Sequence, residues 1–295
     1  MSVRLGISPI GWSNDDLPEL GGDIPLDTCL AETREAGFEG IELGHKFPRD
    51  PALLRPLLAY HGLRLISGWY SGRLLERSVA EELEAVEQHR ALLAAMSFTI
   101  LVYAETTGGI AGDRTRPLSS RPSLPDGDWR DFGTRLIELA DHLAERDIRL
   151  AHHHHMGTIV ETAAEIDLLM AATGGSVGLL LDTGHLAFAG ADPADIAWRH
   201  GPRINHVHCK DVRPGVLAGV HAADQNFLDA VLDSVFTVPG DGAIDFAAVL
   251  TALKAADFHG WLVFEAEQDP AKAPPLVYAR CGFAHLSAAL RDTGW

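Results

Sequence analysis

Four consecutive histidines, His152 to His155, end a short apolar run inside the chain and are the residues best suited to metal chemistry. Three later apolar runs also end in His, Asp or Glu: LLLDTGH at 179–185, INHVHCKD at 204–211 and LVFEAEQD at 262–269. Alternate side chains of a strand share a face, so His153 pairs with His155, and His152 with His154. The residue types predict a divalent transition metal bound by imidazole and carboxylate, with room for substrate oxygens.

The same alternation applies to the two later strands. It places His206 beside His208 and Glu265 beside Glu267, whereas Cys209 points away from its histidine neighbour. The candidate ligand set therefore contains no thiolate, which disfavours a structural zinc site.

Apolar runs and amphipathic segments alternate along the chain, a pattern typical of parallel strands joined by helices. Eight strands are predicted, at 3–9, 40–44, 64–70, 98–104, 148–155, 177–182, 204–208 and 260–267. The clearest helices are predicted at 26–36, 78–95, 129–146, 162–172 and 246–256. Eight strand–helix units predict an α/β fold, a closed (β/α)8 TIM barrel, whose chemistry lies at the carboxyl ends of its strands. All four candidate ligand segments end there.

Two connections are longer than usual in a compact domain, Glu105–Gly127 after the fourth strand and Cys209–Ala243 after the seventh. Loops of this length are typically lids or binding segments. The second is expected to hold a short helix from Asp224 to Leu232 and then a turn at 239–242.

Composition limits the domain organisation and the partners. A chain of 295 residues that is 46% hydrophobic, without a break in composition, predicts one domain at 1–295. The net charge of −17 disfavours nucleic acid and anionic membranes as partners. Three scattered cysteines and the lack of a signal-peptide pattern favour a cytoplasmic protein with reduced thiols. The oligomeric state stays open, a homo-oligomer included.

Each candidate ligand also has an ordinary structural explanation. Some rings of the histidine tract could be hydrogen-bonded core groups, and Asp182 could cap a helix. His208 and Lys210 could lie on a solvated rim, and Glu265 could form an ion pair that closes the barrel. The metal hypothesis is favoured because four such features would otherwise meet at one rim by coincidence.

Polar and aromatic residues after the first two strands are predicted to contact a substrate. The segment GISPIGWSNDDL at 6–17 leaves the first strand on the catalytic face, although a plain Pro/Gly turn would explain it too. An indole supplies an apolar face, and carboxylates and amides bind hydroxyls. Trp69, at another strand end, could also wall the pocket, and Glu42 and Lys46 could instead form a solvated pair. The predicted substrate-binding residues are Trp12, Asn14, Asp15, Glu42 and Lys46.

Several sequence blocks resemble the inosose (2-keto-myo-inositol) dehydratases of inositol catabolism, within the xylose isomerase-like barrel superfamily. The resemblance covers nearly the whole chain. The blocks are GISPIGWSNDDLPELGG at 6–22, GIELGHKFPRD at 40–50, HHHMGT at 153–158, LLDTGH at 180–185, HVHCKD at 206–211, VFTVPGDGAIDF at 235–246 and EAEQDP at 265–270. The resemblance implies a small polyhydroxylated cyclic ketone as substrate. It also implies Mn²⁺ or Co²⁺ as cofactor, which ligand type does not separate from Zn²⁺.

The resemblance also implies a ligand set. Such barrels typically hold their metal with a Glu, an Asp, a His and a second Glu from the last four strands. By position, Asp182, His208 and Glu265 are the last three of these ligands. The fifth-strand Glu has no counterpart, and His153 takes its place, with His155 on the same face as the alternative.

The implied reaction is the dehydration of 2-keto-myo-inositol (scyllo-inosose) to a trihydroxycyclohexane-dione. In this hypothesis the metal stabilises the enolate, and a general acid protonates the leaving hydroxyl. Lys210, His155 and His185 are candidate proton carriers and Glu267 is a candidate base, with acid and base not assigned individually.

Three other functions remain open. A sugar isomerase or epimerase on the same barrel would use similar proton chemistry. A metal-dependent phosphodiesterase for damaged DNA is disfavoured by the charge of −17. In a non-catalytic sugar-binding protein, the ion would only stabilise the barrel.

Overall fold

The computed structural model describes residues 3–295, so the first two residues of the predicted domain lie outside the described residues. Eight parallel strands close into a barrel in the spatial order β1-β10-β7-β6-β5-β4-β3-β2, which confirms the predicted (β/α)8 fold. The barrel strands are β1 (Arg4–Ile7), β2 (Gly40–Leu43), β3 (Arg64–Gly72), β4 (Ile100–Glu105), β5 (Arg149–His153), β6 (Val177–Asp182), β7 (Ile204–Cys209) and β10 (Trp261–Phe264). A separate antiparallel ribbon consists of β8 (Asp211–Val212) and β9 (Phe236–Thr237).

Eleven α-helices connect and cover the strands in the described residues. They are α1 (Leu26–Ala36), α2 (Pro51–Tyr60), α3 (Val79–Ala95), α4 (Trp129–Ala144), α5 (Ala163–Ala172), α6 (Thr183–Phe188), α7 (Pro193–His200), α8 (Pro214–Ala223), α9 (Phe227–Leu232), α10 (Phe246–Ala255) and α11 (Pro275–Asp292). The five predicted helices are all present, with ends within two residues of the prediction. Among residues 3–295, none of these helices combines the length and the apolar composition of a membrane span.

The main core lies between the barrel strands and the outer helices. Inside the barrel, Ile100, Val102, Ala151 and Leu180 form a small apolar layer below the carboxyl ends of the strands. A filled barrel interior is the normal arrangement of this fold, so the polar site is confined to the upper rim.

The first, second, fifth and eighth predicted strands ran too far at their carboxyl ends, whereas the other four ended at or up to two residues before the observed end. β5 ends at His153, and His155 already belongs to a turn, because its carbonyl accepts a hydrogen bond from the amide of Thr158 at 3.2 Å. β10 ends at Phe264, although the amide of Glu265 still donates to the carbonyl of Cys209 at 3.2 Å. His155, Glu265 and Glu267 therefore lie just beyond the regular ladder, whereas His153, Asp182 and His208 are still within it.

The loop after β4 holds only a short 3-10 turn at Leu118–Ser120, whereas the loop after β7 is more ordered than predicted. The helix predicted from Asp224 to Leu232 is present as α9, but it begins three residues later, at Phe227, and α8 before it was not predicted. Asp224 has a left-handed φ of 46° and ends α8, and the Asn226 side chain then caps α9. Asp224 and Asn226 change the chain direction between α8 and α9, so the helical pattern does not continue through these residues.

The ribbon and helices α8 and α9 form a cover segment, defined as residues 211–243. Phe227, Phe236 and other apolar residues of this segment pack with Leu17, Met156 and Phe188 in a second apolar cluster. This cluster fixes the cover segment beside the carboxyl ends of β5 and β6.

Asp211 holds the base of the cover segment. Its buried carboxylate accepts hydrogen bonds from the amides of Val212 (2.9 Å), Ile244 (3.0 Å), Gly240 (3.1 Å) and Gly242 (3.1 Å). A Cβ at Gly242 would lie 2.2 Å from the Asp211 carboxylate, so this turn requires a glycine.

Asp211→Ala should lower the free energy of unfolding by about 3 kcal/mol, since it leaves buried amides without their acceptor. Chemical denaturation with a fluorescence readout measures the change. The exposed Asp126→Ala is the matched control and should differ from the parent by less than about 0.5 kcal/mol. Equal stability of the Asp211 and Asp126 variants would show that this carboxylate does not stabilise the turn.

Candidate active site

Four donor groups meet at the carboxyl ends of β5, β6, β7 and β10. His153 Nε2 lies 3.3 Å from Asp182 Oδ2. His208 Nδ1 lies 3.4 Å from the same oxygen and 3.1 Å from Glu265 Oε2. All four side chains are buried. Metal bonds of roughly 2.1 Å place neighbouring donors roughly 3.0–3.4 Å apart, so this spacing suits one ion.

The chemistry of His208 also fits a cation at this point. Its Nδ1 is buried without a hydrogen bond, although two carboxylates face it. Burial by itself lowers the pKa of His208, but Glu265 and Glu42 raise that pKa well above the usual value. The surroundings therefore favour positive charge next to His208.

Asp182 has two roles. Its Oδ1 accepts from the amide of His185 at 2.8 Å and so caps α6, as the structural explanation proposed. Its Oδ2 faces His153 and His208, as the metal hypothesis requires. Burial favours the protonated form, but Lys210 and His185 hold the pKa of Asp182 well below the usual range. Capping uses Oδ1 and leaves Oδ2 facing the two histidines, so the two explanations are compatible.

Glu42 lines the cavity, but one of its oxygens is already hydrogen-bonded to two histidines. Its Oε1 accepts from Nε2 of His206 at 2.9 Å and from Nε2 of His208 at 3.1 Å, and the Ser67 hydroxyl donates to the same oxygen. Burial favours protonation, but His208 and the hydrogen bonds lower the pKa of Glu42 below its usual range. Because Nε2–H is donated to Glu42, Nδ1 is the nitrogen that would bind a metal ion once it has lost its proton.

The remaining histidines follow the predicted alternation. His153 and His155 line the same cavity, whereas the His152 ring packs against Tyr103 and Phe132 at centroid distances of 5.7 and 6.4 Å. His154 Nε2 accepts from the amide of Asp182 at 3.2 Å. The tract thus supplies core groups on one face and site groups on the other.

Only two of the four predicted catalytic residues reach the cavity, His155 and Glu267. His155 Nδ1 donates to the carbonyl of Met156 at 2.9 Å, so its Nε2 keeps a lone pair. Burial first, and Glu265 as well, raise the pKa of Glu267 to about 7, against the opposing effect of Lys210. Lys210 and His185 are buried behind these groups and do not line the cavity.

Three of the predicted substrate contacts lie outside the cavity. The Trp12 indole is buried and donates to Glu32 Oε2 at 2.6 Å. Asn14 Oδ1 accepts from two backbone amides of its own turn, both at 2.8 Å. The Lys46 ammonium donates to three loop carbonyls, the nearest that of Ile24 at 2.7 Å. These residues shape the first loop, because each finds its partner within the loop or next to it.

The cavity has a volume of about 280 Å³. Asp15 and Glu42 line it as predicted, and Asp16 and Ser8 line it although the sequence did not single them out. The adjacent Asp15-Asp16 pair was the signal available for Asp16. The aromatic wall is Trp69, which is 38% exposed and packs edge-on against His153 and His155 at 5.3 and 5.4 Å.

The model of the xylose isomerase-like TIM barrel family matches residues 30–288. The chain belongs to this family.

Curated relatives narrow the assignment within the family. The chain is 50% identical to the rhizopine catabolism protein MocC of Rhizobium meliloti, over 100% of this chain and 91% of that protein. It is 46% identical to the inosose dehydratase of Geobacillus thermodenitrificans (strain NG80-2), over 94% of each chain. Nearly full-length likeness to inosose dehydratases confirms the predicted resemblance and identifies this family member as an enzyme of the dehydratase type.

Solved structures of low identity share the fold. An L-ribulose 3-epimerase superposes with a TM-score of 0.71 at 19% identity, covering 99% of this chain and 96% of that chain. An IolI protein with a bound zinc atom superposes with a TM-score of 0.65 at 16% identity, covering 99% and 98%. At such identities the comparison establishes the barrel alone.

Glu42→Ala should weaken binding of Mn²⁺ roughly 10- to 100-fold, because His208 loses the acceptor that orients its ring. Isothermal titration calorimetry measures the affinity without any substrate. Glu42→Gln keeps an acceptor oxygen and should recover much of the binding, and the exposed Glu39→Ala should bind like the parent. Unchanged affinity in Glu42→Ala would contradict this role.

Proposed function

We propose that this chain is a metal-dependent inosose dehydratase, which converts 2-keto-myo-inositol into a trihydroxycyclohexane-dione and water. The observation that carries the proposal is the cluster of His153, Asp182 and His208, whose ligand atoms lie within 4.8 Å of one another. Glu265 Oε2 lies 3.1 Å from His208 Nδ1, and three of the four side chains, all but Asp182, line the cavity. The inosose dehydratase relatives support the substrate class.

The residues that would hold the ion are those four. Two imidazoles and two carboxylates form a neutral complex with a divalent ion, and such a mixed set suits Mn²⁺, Co²⁺ or Zn²⁺. We propose Mn²⁺ or Co²⁺. When bound, the ion supplies Lewis-acid polarisation of the substrate ketone.

The charges around the cavity favour a neutral polyol over a sugar phosphate. Five carboxylates line it, those of Asp15, Asp16, Glu42, Glu265 and Glu267. No lysine or arginine of the described chain lines it. Carboxylates accept hydrogen bonds from ring hydroxyls but repel phosphate. A volume below the roughly 300 Å³ at which pockets for larger ligands begin suits a single six-membered ring.

Dehydration requires one proton to leave the carbon next to the ketone and one to reach the departing β-hydroxyl. His155, through its unprotonated Nε2, and Glu267 are the proton-exchanging groups on the cavity wall. Glu267 Oε1 makes no hydrogen bond in the described structure, so this oxygen is available for proton exchange. The hydroxyl leaves as water, and the enol product tautomerises to the dione.

Asp182→Asn should lower the turnover of 2-keto-myo-inositol with Mn²⁺ roughly 1,000-fold, because Lewis-acid catalysis contributes several kcal/mol. The new ultraviolet absorbance of the dione measures turnover. Asn preserves the oxygen that caps α6, so the fold should persist by circular dichroism. Activity near the parent level would contradict the metal role, and the exposed Asp195→Asn is the control.

Two outcomes separate the alternatives. A sugar epimerase would consume or rearrange the ketone without the dione absorbance. A purely structural ion would make chelation by EDTA unfold the chain, whereas a catalytic ion leaves an inactive folded protein.

Trp69→Ala should raise KM for the keto-inositol roughly 10-fold, which corresponds to about 1.4 kcal/mol of lost ring contact. Its effect on kcat should be small, since the indole stands on the wall and donates to Ser71 Oγ rather than to a reacting group. Steady-state kinetics measures both constants. Trp198→Ala, at an indole 58% exposed on α7, is the control. Equal KM values for the Trp69 and Trp198 variants would contradict the contact.

The 50% identity to MocC favours a second candidate, a step in rhizopine breakdown. Incubation of the purified chain with rhizopine, followed by mass spectrometry, tests it. Conversion of rhizopine without turnover of keto-inositol would assign the chain to that step.

A further inference from the structure

A second group of ligand-type atoms lies next to the four proposed metal donors. His155, His185 and Glu267 each bring a nitrogen or oxygen to within 4.8 Å of the others, and all three side chains are buried. Imidazole nitrogens and carboxylate oxygens are the donors that divalent transition metals prefer. These three residues are named the second cation seat.

The ammonium of Lys210 contacts two of these three residues, His185 and Glu267, and also Glu265. Nζ lies 2.8 Å from Glu267 Oε2, 3.0 Å from His185 Nε2 and 2.6 Å from Glu265 Oε1. The side chain is fully buried, and the Phe236 ring lies 4.6 Å from the ammonium. Because Lys210 does not line the cavity, it has no direct path to substrate.

Glu265 joins the second cation seat to the metal donors. Its Oε1 contacts the Lys210 ammonium, and its Oε2 lies 3.1 Å from His208 Nδ1 on the metal side. Asp182 Oδ2 also faces both sides, because it lies 3.9 Å from Nζ and 3.4 Å from His208 Nδ1. Carboxylates shared between neighbouring cations are typical of two-metal sites, in which the ions lie about 3.5–4 Å apart.

A glycine in α6, Gly184, leaves room for the side chain of Lys210. A Cβ at Gly184 would lie 2.5–2.7 Å from three carbons of the Lys210 stem, so any larger residue would displace it. Thr183 accepts from the Lys210 amide at 3.0 Å and donates to its carbonyl at 2.6 Å. The ammonium is therefore held at a fixed point rather than free to reach a substrate.

We propose that the Lys210 ammonium is a built-in monovalent cation that takes the place of a second divalent ion. The intact chain then binds one divalent ion, and removal of the ammonium opens the second cation seat to another. This inference rests on the proposed function for its first ion. In the reaction Lys210 is a positioning residue, because it fixes Glu265 and Glu267 and contacts neither substrate nor metal.

The distances allow the exchange. Ammonium contacts of 2.6–3.0 Å would shorten to metal bonds of roughly 2.0–2.2 Å. His185 Nε2 and Glu267 Oε2 are 3.9 Å apart, close to the donor spacing of roughly 3.4 Å in a tetrahedral site. Small rotations of these side chains would complete the change.

The test is the number of Mn²⁺ ions bound per chain, measured by equilibrium dialysis and elemental analysis. We expect one ion for the parent and two for Lys210→Ala. Lys254→Ala, at an exposed lysine that donates to the carbonyl of Thr293, should still bind one. Adding Glu267→Gln to Lys210→Ala should return the count to one.

A competition experiment gives a second readout. Ethylammonium should enter the space left in Lys210→Ala and weaken binding of the second ion at least about 10-fold, with no effect on the parent. If Lys210→Ala does not fold, Lys210→Gln keeps the stem against Gly184 and Phe236 without the charge, and two ions are again expected.

The outcomes separate the two proposals. No ion in the parent would overturn the proposed function. One ion in the parent and also in the folded Lys210 variants would overturn the second cation seat alone. Two ions in the parent, or none in the variants, would overturn it as well.

Discussion

Buried negative charge at the carboxyl ends of the strands is the constraint on which the site depends. The carboxylates of Asp182, Glu265 and Glu267 are almost fully buried, and each lies close to a histidine or lysine that also contacts another of the three. An ionised carboxylate is costly to bury unless it is paired. One buried lysine and histidines held by hydrogen bonds supply part of the compensating positive charge, and the proposed divalent ion would supply the rest.

The fold concentrates these groups because all eight strands run parallel. Their carboxyl ends therefore open at one rim, and residues far apart in the chain, such as His153 and Glu265, meet there. The cover segment then shields one side of the rim, with Phe227 at 5.3 Å from the ring of His155 and Phe236 at 5.3 Å from that of His185. Exclusion of water strengthens every charge interaction below it.

Proteins that share a fold can act on different substrates, so the residues of the cavity wall must determine which substrate binds. Here carboxylates and one exposed indole face the space, and the described residues contribute no cationic side chain to its lining. Hydroxyl donors on an uncharged ring complement that wall, whereas phosphate does not. In the proposed reaction, the metal donors and the wall would act on different parts of one small molecule, the ketone and the hydroxyls.

The sequence by itself determined the barrel, the parity of the histidine tract and the segments that supply Asp182, His208 and Glu265. Periodicity and strand ends are local properties, so the printed residues carry them. Only the tertiary structure decided what each polar residue contacts. Trp12 contacts Glu32 of α1, and Lys46 contacts loop carbonyls. Glu42 contacts two histidines and Lys210 contacts Glu267, because packing across the barrel brings these residues together. Contacts between residues such as Glu42 and His206, 164 positions apart, leave no local pattern from which to predict them.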